Sequence, residues 1–106
     1  MKTFKRLIII PARGGSKRIK NKNIKKFKGK PIIFYSINSA KQSKLFDVIH
    51  VSTESLKIKN ILKNKVKIDF MRPKYLSSDK TPIYKVLINV VENFYKREIN
   101  FKEIWC

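Results

Sequence analysis

Two adjacent glycines, Gly14 and Gly15, follow Arg13 and precede Ser16, Lys17 and Arg18, with Lys20, Lys22 and Asn23 just beyond. The chain holds three glycines in all, so their pairing here is a local demand and not a compositional accident. Adjacent glycines let the backbone turn and approach a ligand closely. Successive N–H groups in such a turn can form a nest for an anion. Arg13 offers a planar fork for phosphate oxygens, and Lys17, Lys20 and Lys22 add point charges. This set suits a triphosphate, whose charge must be neutralised before a nucleophile attacks it. The stretch matches neither G-x-x-x-x-G-K-[ST] nor G-x-G-x-x-G. Ser16 has no His or Asp partner within the loop, so a hydrogen bond to phosphate fits it better than a nucleophile's role.

The elements around this loop follow from periodicity. Residues 4–10 are almost continuously apolar from Leu7, as expected of a central strand buried on both faces of a parallel sheet. Pro11 cannot donate to a ladder and ends it. Gly29-Lys30-Pro31 reads as a turn with Pro31 at the first helical position, and Ile33, Ile37 and Ala40 predict a helix over residues 32–43. Residues 46–53 read as a second strand, 55–63 as a short helix and 66–71 as a third strand. Arg72-Pro73 breaks that strand, and a polar loop runs to Thr81. Thr81 is a candidate N-cap for a helix whose Ile83, Val86, Leu87, Val90, Val91 and Phe94 keep one face apolar. Residues 101–106 begin a fourth strand. Strands alternating with helices of crossover length imply βαβ units, an α/β fold with a Rossmann-like parallel sheet. The loops at 11–23, 52–54 and 72–81 all follow strands and should share the carboxyl edge, where such sheets bind ligands.

Composition narrows the classes. A chain of 106 residues is one domain at most. Its 26 Lys and Arg against 7 Asp and Glu give a formal charge of +19. That invites a basic nucleic-acid-binding module. Such a module needs its cations on one face with aromatics interleaved, whereas these lysines are scattered along nearly every segment and cluster only in the loop, which argues for a generally basic surface instead. One cysteine, Cys106, and one histidine, His50, exclude an intrachain disulfide and a Cys/His metal cluster, and fit a reducing cytoplasmic setting. The apolar run at 7–10 is too short for a signal peptide, and nothing approaches a membrane span. His50, Phe34, Tyr35 and Trp105 read as structural, and Cys106 as a thiol of a buried strand.

Pro11-Ala12-Arg13-Gly14-Gly15-Ser16-Lys17-Arg18 with Lys22-Asn23 resembles the signature of the acylneuraminate cytidylyltransferases, which include the sialic, pseudaminic and legionaminic acid-activating enzymes. The likeness continues through Gly29-Lys30-Pro31-Ile32, Val51-Ser52-Thr53-Glu54 and Arg72-Pro73 with Leu76-Ser77-Ser78-Asp79. Arg18 and the Ser-Lys-Arg-Ile form lean to the pseudaminic branch. The resemblance implies a nucleotidyltransferase-type fold that joins CMP from CTP to an acidic nine-carbon 2-keto sugar and releases pyrophosphate. It implies that Arg13, Lys17 and Lys22 act on the reacting phosphates. It places Ala12, Arg13, Gly14, Gly15, Ser16 and Lys22 around the nucleotide, with Asn23 and Arg72 on its cytosine and ribose side. The 3-deoxy-manno-octulosonate cytidylyltransferases share this chemistry but usually lack the paired glycines.

The family is about twice as long as this chain. Residues 1–106 are therefore expected to be the N-terminal part of one cytidylyltransferase domain, truncated after the start of the fourth strand and inactive alone. The resemblance puts the Mg²⁺ ligands, most of the sugar pocket and the homodimer contacts in the absent half, with no metal site in this chain. Glu54 and Asp79 are each expected to cap or turn rather than to hold metal.

Overall fold

The computed structural model describes residues 1–14, 26–27 and 30–106. Strand β1 (Lys2–Pro11) is followed by the two-residue strands β2 (Lys26–Phe27) and β3 (Lys30–Pro31), which pair antiparallel. Then come α1 (Ile32–Ser43), β4 (Val48–Ser52), α2 (Leu56–Leu62), a 3₁₀ turn (Lys74–Leu76), α3 (Ile83–Lys96) and β5 (Ile99–Trp105). The main sheet has the order β4-β1-β5, and both pairings of β1 are parallel.

The apolar run of β1 is explained by its central place. Leu7 and Ile9 pack with Val90 and Phe94 of α3 and with Phe101 of β5. Ile10 and Ala12 serve a second cluster, with Ile33 and Ile37 of α1, Val51 of β4, and Ile58 and Leu62 of α2. Each side of the strand thus needs an apolar residue at every other position. The crossover after β1 leads to β4 on one flank, and the chain then returns past β1 to β5 on the other. Strand order reverses at β1, the place where open α/β sheets leave a crevice beyond their carboxyl ends.

Helix α1 buries Ile33, Ile37 and Ala40, as its spacing demands, but Pro31 is its N-cap rather than its first residue. Ser55 caps α2, its Oγ accepting from Ile58 N at 3.2 Å. Helix α3 buries Val86, Val90 and Phe94. Thr81 does not cap it: Pro82 is the N-cap, and Thr81 Oγ1 lies 3.0 Å from Ser78 Oγ.

Residues 66–71 differ from the expected third strand. They form no ladder among the described residues, and Arg72 N donates to Thr53 O at 2.7 Å just beyond them. Val66, Ile68 and Met71 pack into one cluster and Phe70 into the other, so the apolar/polar alternation of 66–70 does not place its apolar residues on one face. The strand at 99–105 is therefore the third member of the sheet.

The reading of Cys106 as a thiol of a buried strand also changes. Tyr35 and Trp105 are exposed, and Cys106 is an exposed free thiol past the end of β5, beside a groove lined by Ile8, Ile10, Ala40 and Phe46. His50, by contrast, is fully buried. It stacks on Phe70 with ring centroids 4.5 Å apart and meets Phe94 edge-on at 5.4 Å.

Candidate functional site

The loops after β1, after β4 and after the 66–71 segment do meet at the carboxyl edge. Ala12 is buried and its N–H continues the β1–β4 contact, donating to Ser52 O at 2.8 Å. Arg13 follows, where the ladder can no longer hold the chain. Its guanidinium forms an ion pair with Asp79 and donates to Ser77 O at 3.4 Å. Gly14 N donates to Glu54 Oε1.

Arg72 approaches from the other side and is only 7% exposed. Its Nε donates to Ser52 Oγ at 3.0 Å and its Nη2 to Ser52 O at 2.9 Å. Burial holds its pKa below the ordinary arginine value, opposed by the Glu54 carboxylate and reinforced by Arg13. Two guanidiniums are thus kept at one edge of the sheet, each with acidic company. An arrangement of this kind can neutralise a polyanion whose oxygens displace or join the resident carboxylates.

Ala12, Arg13, Gly14 and Arg72 are therefore brought together, as the sequence led one to expect. Gly15, Ser16, Lys17, Lys22 and Asn23 lie outside the described residues. One expectation changes in kind. The Gly14 amide was expected to serve an anion nest, yet here it is spent on Glu54. The space that glycine leaves is also filled by protein: a Cβ at Gly14 would lie 2.7 Å from Ser55 Cβ and 2.9 Å from Glu54 Oε1. Close approach is required, and the thing approached is the turn after β4.

The sequence reading gave Glu54 and Asp79 only cap or turn roles and passed over Ser52 and Ser77. The signal was available in the charge balance. The chain has seven acidic residues, and two of them fall in the loops opposite the basic one. In so cationic a chain, acids at that edge mark the positions where arginines must be held.

Among the described residues no group of three or more His, Cys, Asp or Glu could hold a metal ion. The two carboxylates at the loops are already engaged, with Gly14 N–H and with Arg13. The described residues do not fit a resident metal. Among them, too, no helix is long and apolar enough to cross a membrane.

Comparison with known proteins gives this edge a context. The family model described as cytidylyltransferase matches residues 7–98. The chain is 42% identical over 104 residues to the pseudaminic acid cytidylyltransferase of Campylobacter jejuni, covering 97% of this chain and 45% of that protein. It is 31% identical over 99 residues to the CMP-N,N'-diacetyllegionaminic acid synthase of Legionella pneumophila, covering 92% of this chain and 43% of that one. A solved structure of CMP:2-keto-3-deoxy-manno-octonic acid synthetase complexed with CTP superposes with a TM-score of 0.72. At 24% identity, over 85% of this chain and 36% of that one, this likeness shows the fold. The chain spans less than half the length of the curated relatives it matches. With a family match that takes in the loop, the strand edge and helices α1, α2 and α3, the chain belongs to the cytidylyltransferase family.

Proposed function

We propose that residues 1–106 are the nucleotide-binding part of a cytidylyltransferase domain that uses CTP to activate an acidic nine-carbon 2-keto sugar of the pseudaminic type. The observation that carries this reading is the meeting of Arg13, Gly14, Glu54, Arg72 and Asp79 at the carboxyl edge of the sheet, within the stretch that matches the family. The name of the C. jejuni relative supports the sugar class.

In the proposed reaction the anomeric hydroxyl oxygen of the sugar bonds to the α-phosphorus of CTP. The bond from that phosphorus to the bridging oxygen of the β-phosphate breaks. Pyrophosphate leaves and the hydroxyl proton is lost to solvent or base. Such transfers depend chiefly on positioning and on neutralising charge over the phosphate oxygens. Arg13, Lys17 and Lys22 are assigned that neutralisation. Arg72 and Asn23 are assigned the nucleoside side, and Ala12, Gly15 and Ser16 the backbone lining. Mg²⁺ belongs to the proposal as an ion held by ligands outside this chain. A homodimer of the longer protein and a cytoplasmic setting complete it.

The test is CTP-dependent pyrophosphate release with a panel of nonulosonic acids. It is run on this chain and on a chimera completed with the C-terminal part of the C. jejuni relative. CTP binding without turnover is expected for the 106 residues, and turnover with pseudaminic acid for the chimera. Turnover by the short chain alone would overturn its status as a part. No release from a folded chimera with any such sugar would overturn the substrate class.

A further inference from the structure

The turn at residues 52–55 is built as a platform. Ser52 and Thr53 are fully buried. Ser52 O takes both Ala12 N–H and one Arg72 nitrogen, and Thr53 O takes the Arg72 amide. Thr53 Oγ1 accepts from Ser55 N at 3.1 Å, and Ser55 Oγ caps α2. Within this platform the Glu54 side chain hydrogen-bonds to the glycine loop, and that of Ser55 packs against it. Glu54 Oε1 takes the Gly14 N–H, while its Oε2 is buried with no hydrogen-bond partner among the described residues. Its charge also acts on the Arg72 guanidinium, in company with Arg13.

A carboxylate beside a cradle for phosphates would repel them if proximity to phosphate were its purpose. Its geometry suggests another use. Gly14 is pinned from two sides, by the hydrogen bond to Glu54 and by the lack of room for a Cβ against Ser55. The preceding residue is Arg13, so the peptide that Glu54 holds is next to the guanidinium that must face a nucleotide. We propose that Glu54 is a positioning residue. It fixes the Gly14 peptide, and so the bearing of Arg13 relative to Arg72, before nucleotide arrives. Binding then needs less ordering of the loop. This inference rests on the reading of the Arg13 loop as a CTP site.

The experiment is a CTP titration of the 106-residue chain and of Glu54→Ala, Glu54→Gln, Gly14→Ala and the Glu54→Ala/Gly14→Ala double variant. Hydrogen exchange at the Gly14 amide is measured alongside, without nucleotide. Far-UV circular dichroism and melting establish that each variant is folded. Glu54→Ala should weaken CTP binding about tenfold or more, a typical loss of preorganisation plus one hydrogen bond. Glu54→Gln keeps an oxygen for the Gly14 amide and should stay within about threefold of the parent. The double variant should bind no worse than Gly14→Ala alone, because both changes release the same peptide. Gly14 amide exchange should speed up in Glu54→Ala and not in Glu54→Gln. Unchanged or tighter CTP binding by Glu54→Ala would overturn the proposal and mark the carboxylate as a competitor for the phosphate seat. Losses that multiply in the double variant would overturn it as well. Should the parent chain bind no CTP, the nucleotide reading fails. The exchange data then decide separately whether Glu54 holds Gly14.

Discussion

At the scale of single residues, two basic side chains illustrate opposite uses of charge. Arg13 is held by Asp79 and Ser77 at the sheet edge, partly exposed, where an incoming anion can reach it. Charge-assisted hydrogen bonds of this type contribute about 1.5–3 kcal/mol. Arg13→Ala should therefore weaken CTP binding by about 10- to 100-fold, and Arg13→Lys, which keeps the charge and loses the fork, by less. Isothermal titration distinguishes the three proteins. His50 shows the reverse, a basic group kept uncharged. Burial, reinforced by Arg97 and opposed by Asp69, lowers its pKa from 6.5 to about 4. Its Nδ1 has no partner among the described residues, and its ring is enclosed by Phe70 and Phe94. Above pH 6.5 both folded and unfolded chains carry it neutral, and it has no effect on pH dependence. As pH falls from 6.5 towards 4 the unfolded chain takes up a proton that the folded chain refuses, so stability drops. The drop over the whole window is on the order of 3 kcal/mol. Urea midpoints at pH 7 and pH 5 should therefore converge in His50→Leu and stay apart in the parent. Equal pH dependence in the two proteins would assign the loss to other groups.

At the scale of elements, packing and capping can be separated. Phe94 is the largest fully buried side chain among the described residues, and it touches His50, Phe70 and Phe101. Phe94→Ala should cost about 3–5 kcal/mol, the usual range for a buried aromatic truncated to a methyl group. In a small domain of ordinary stability that approaches the whole margin, and thermal melting should show a broad or absent transition. Ser55→Ala removes the cap of α2 and should cost about 1 kcal/mol. The elements that the sequence announced were those whose pattern is set by burial on a regular face. In β1 the apolar run meets clusters on both sides, and in α3 the 3–4 spacing meets one. Residues 66–71 misled because their apolar/polar alternation is present in the sequence while Val66 and Ile68 pack into one cluster and Phe70 into the other, and alternation alone carries no information about a ladder partner. Thr81 misled for a related reason. A hydroxyl before a proline suits an N-cap, yet Ser78 offered it a nearer partner. The convergence at the sheet edge was legible where chemistry is dense, in Arg13, Gly14 and Arg72. It was not legible in Glu54, whose significance depends on a contact forty residues away.

For the molecule as a whole, a net charge of +19 raises the question whether anion binding is a property of one loop or of the entire surface. The two differ in salt dependence and in their response to Arg13. A surface dotted with lysines binds any polyanion by releasing its counterions, and that affinity falls steeply with salt. A short oligonucleotide should accordingly bind this chain weakly at low salt. It should be released as salt rises through a few tenths molar, by which point screening reaches only several ångströms. Arg13→Ala, removing one charge among 26 Lys and Arg, should leave that binding almost unchanged. CTP has far fewer charges than an oligonucleotide, and the site proposed for it is a partly enclosed edge, where Arg72 is buried and Arg13 is held in place. Its binding should fall less with salt and should depend on Arg13. Fluorescence anisotropy of a labelled oligonucleotide and calorimetry with CTP, each at three salt concentrations on the parent and Arg13→Ala, measure the two behaviours side by side. If Arg13→Ala removed oligonucleotide binding together with CTP binding, the cations would have to converge on the loop. The basic surface would then be part of the site rather than its background. If instead CTP binding ignored Arg13 and vanished with salt, the loop would be one more basic turn. The separation expected here follows from the fold. The sheet gathers two arginines and two acids at one edge, while most of the lysines lie outside the loop, along nearly every other segment of the chain.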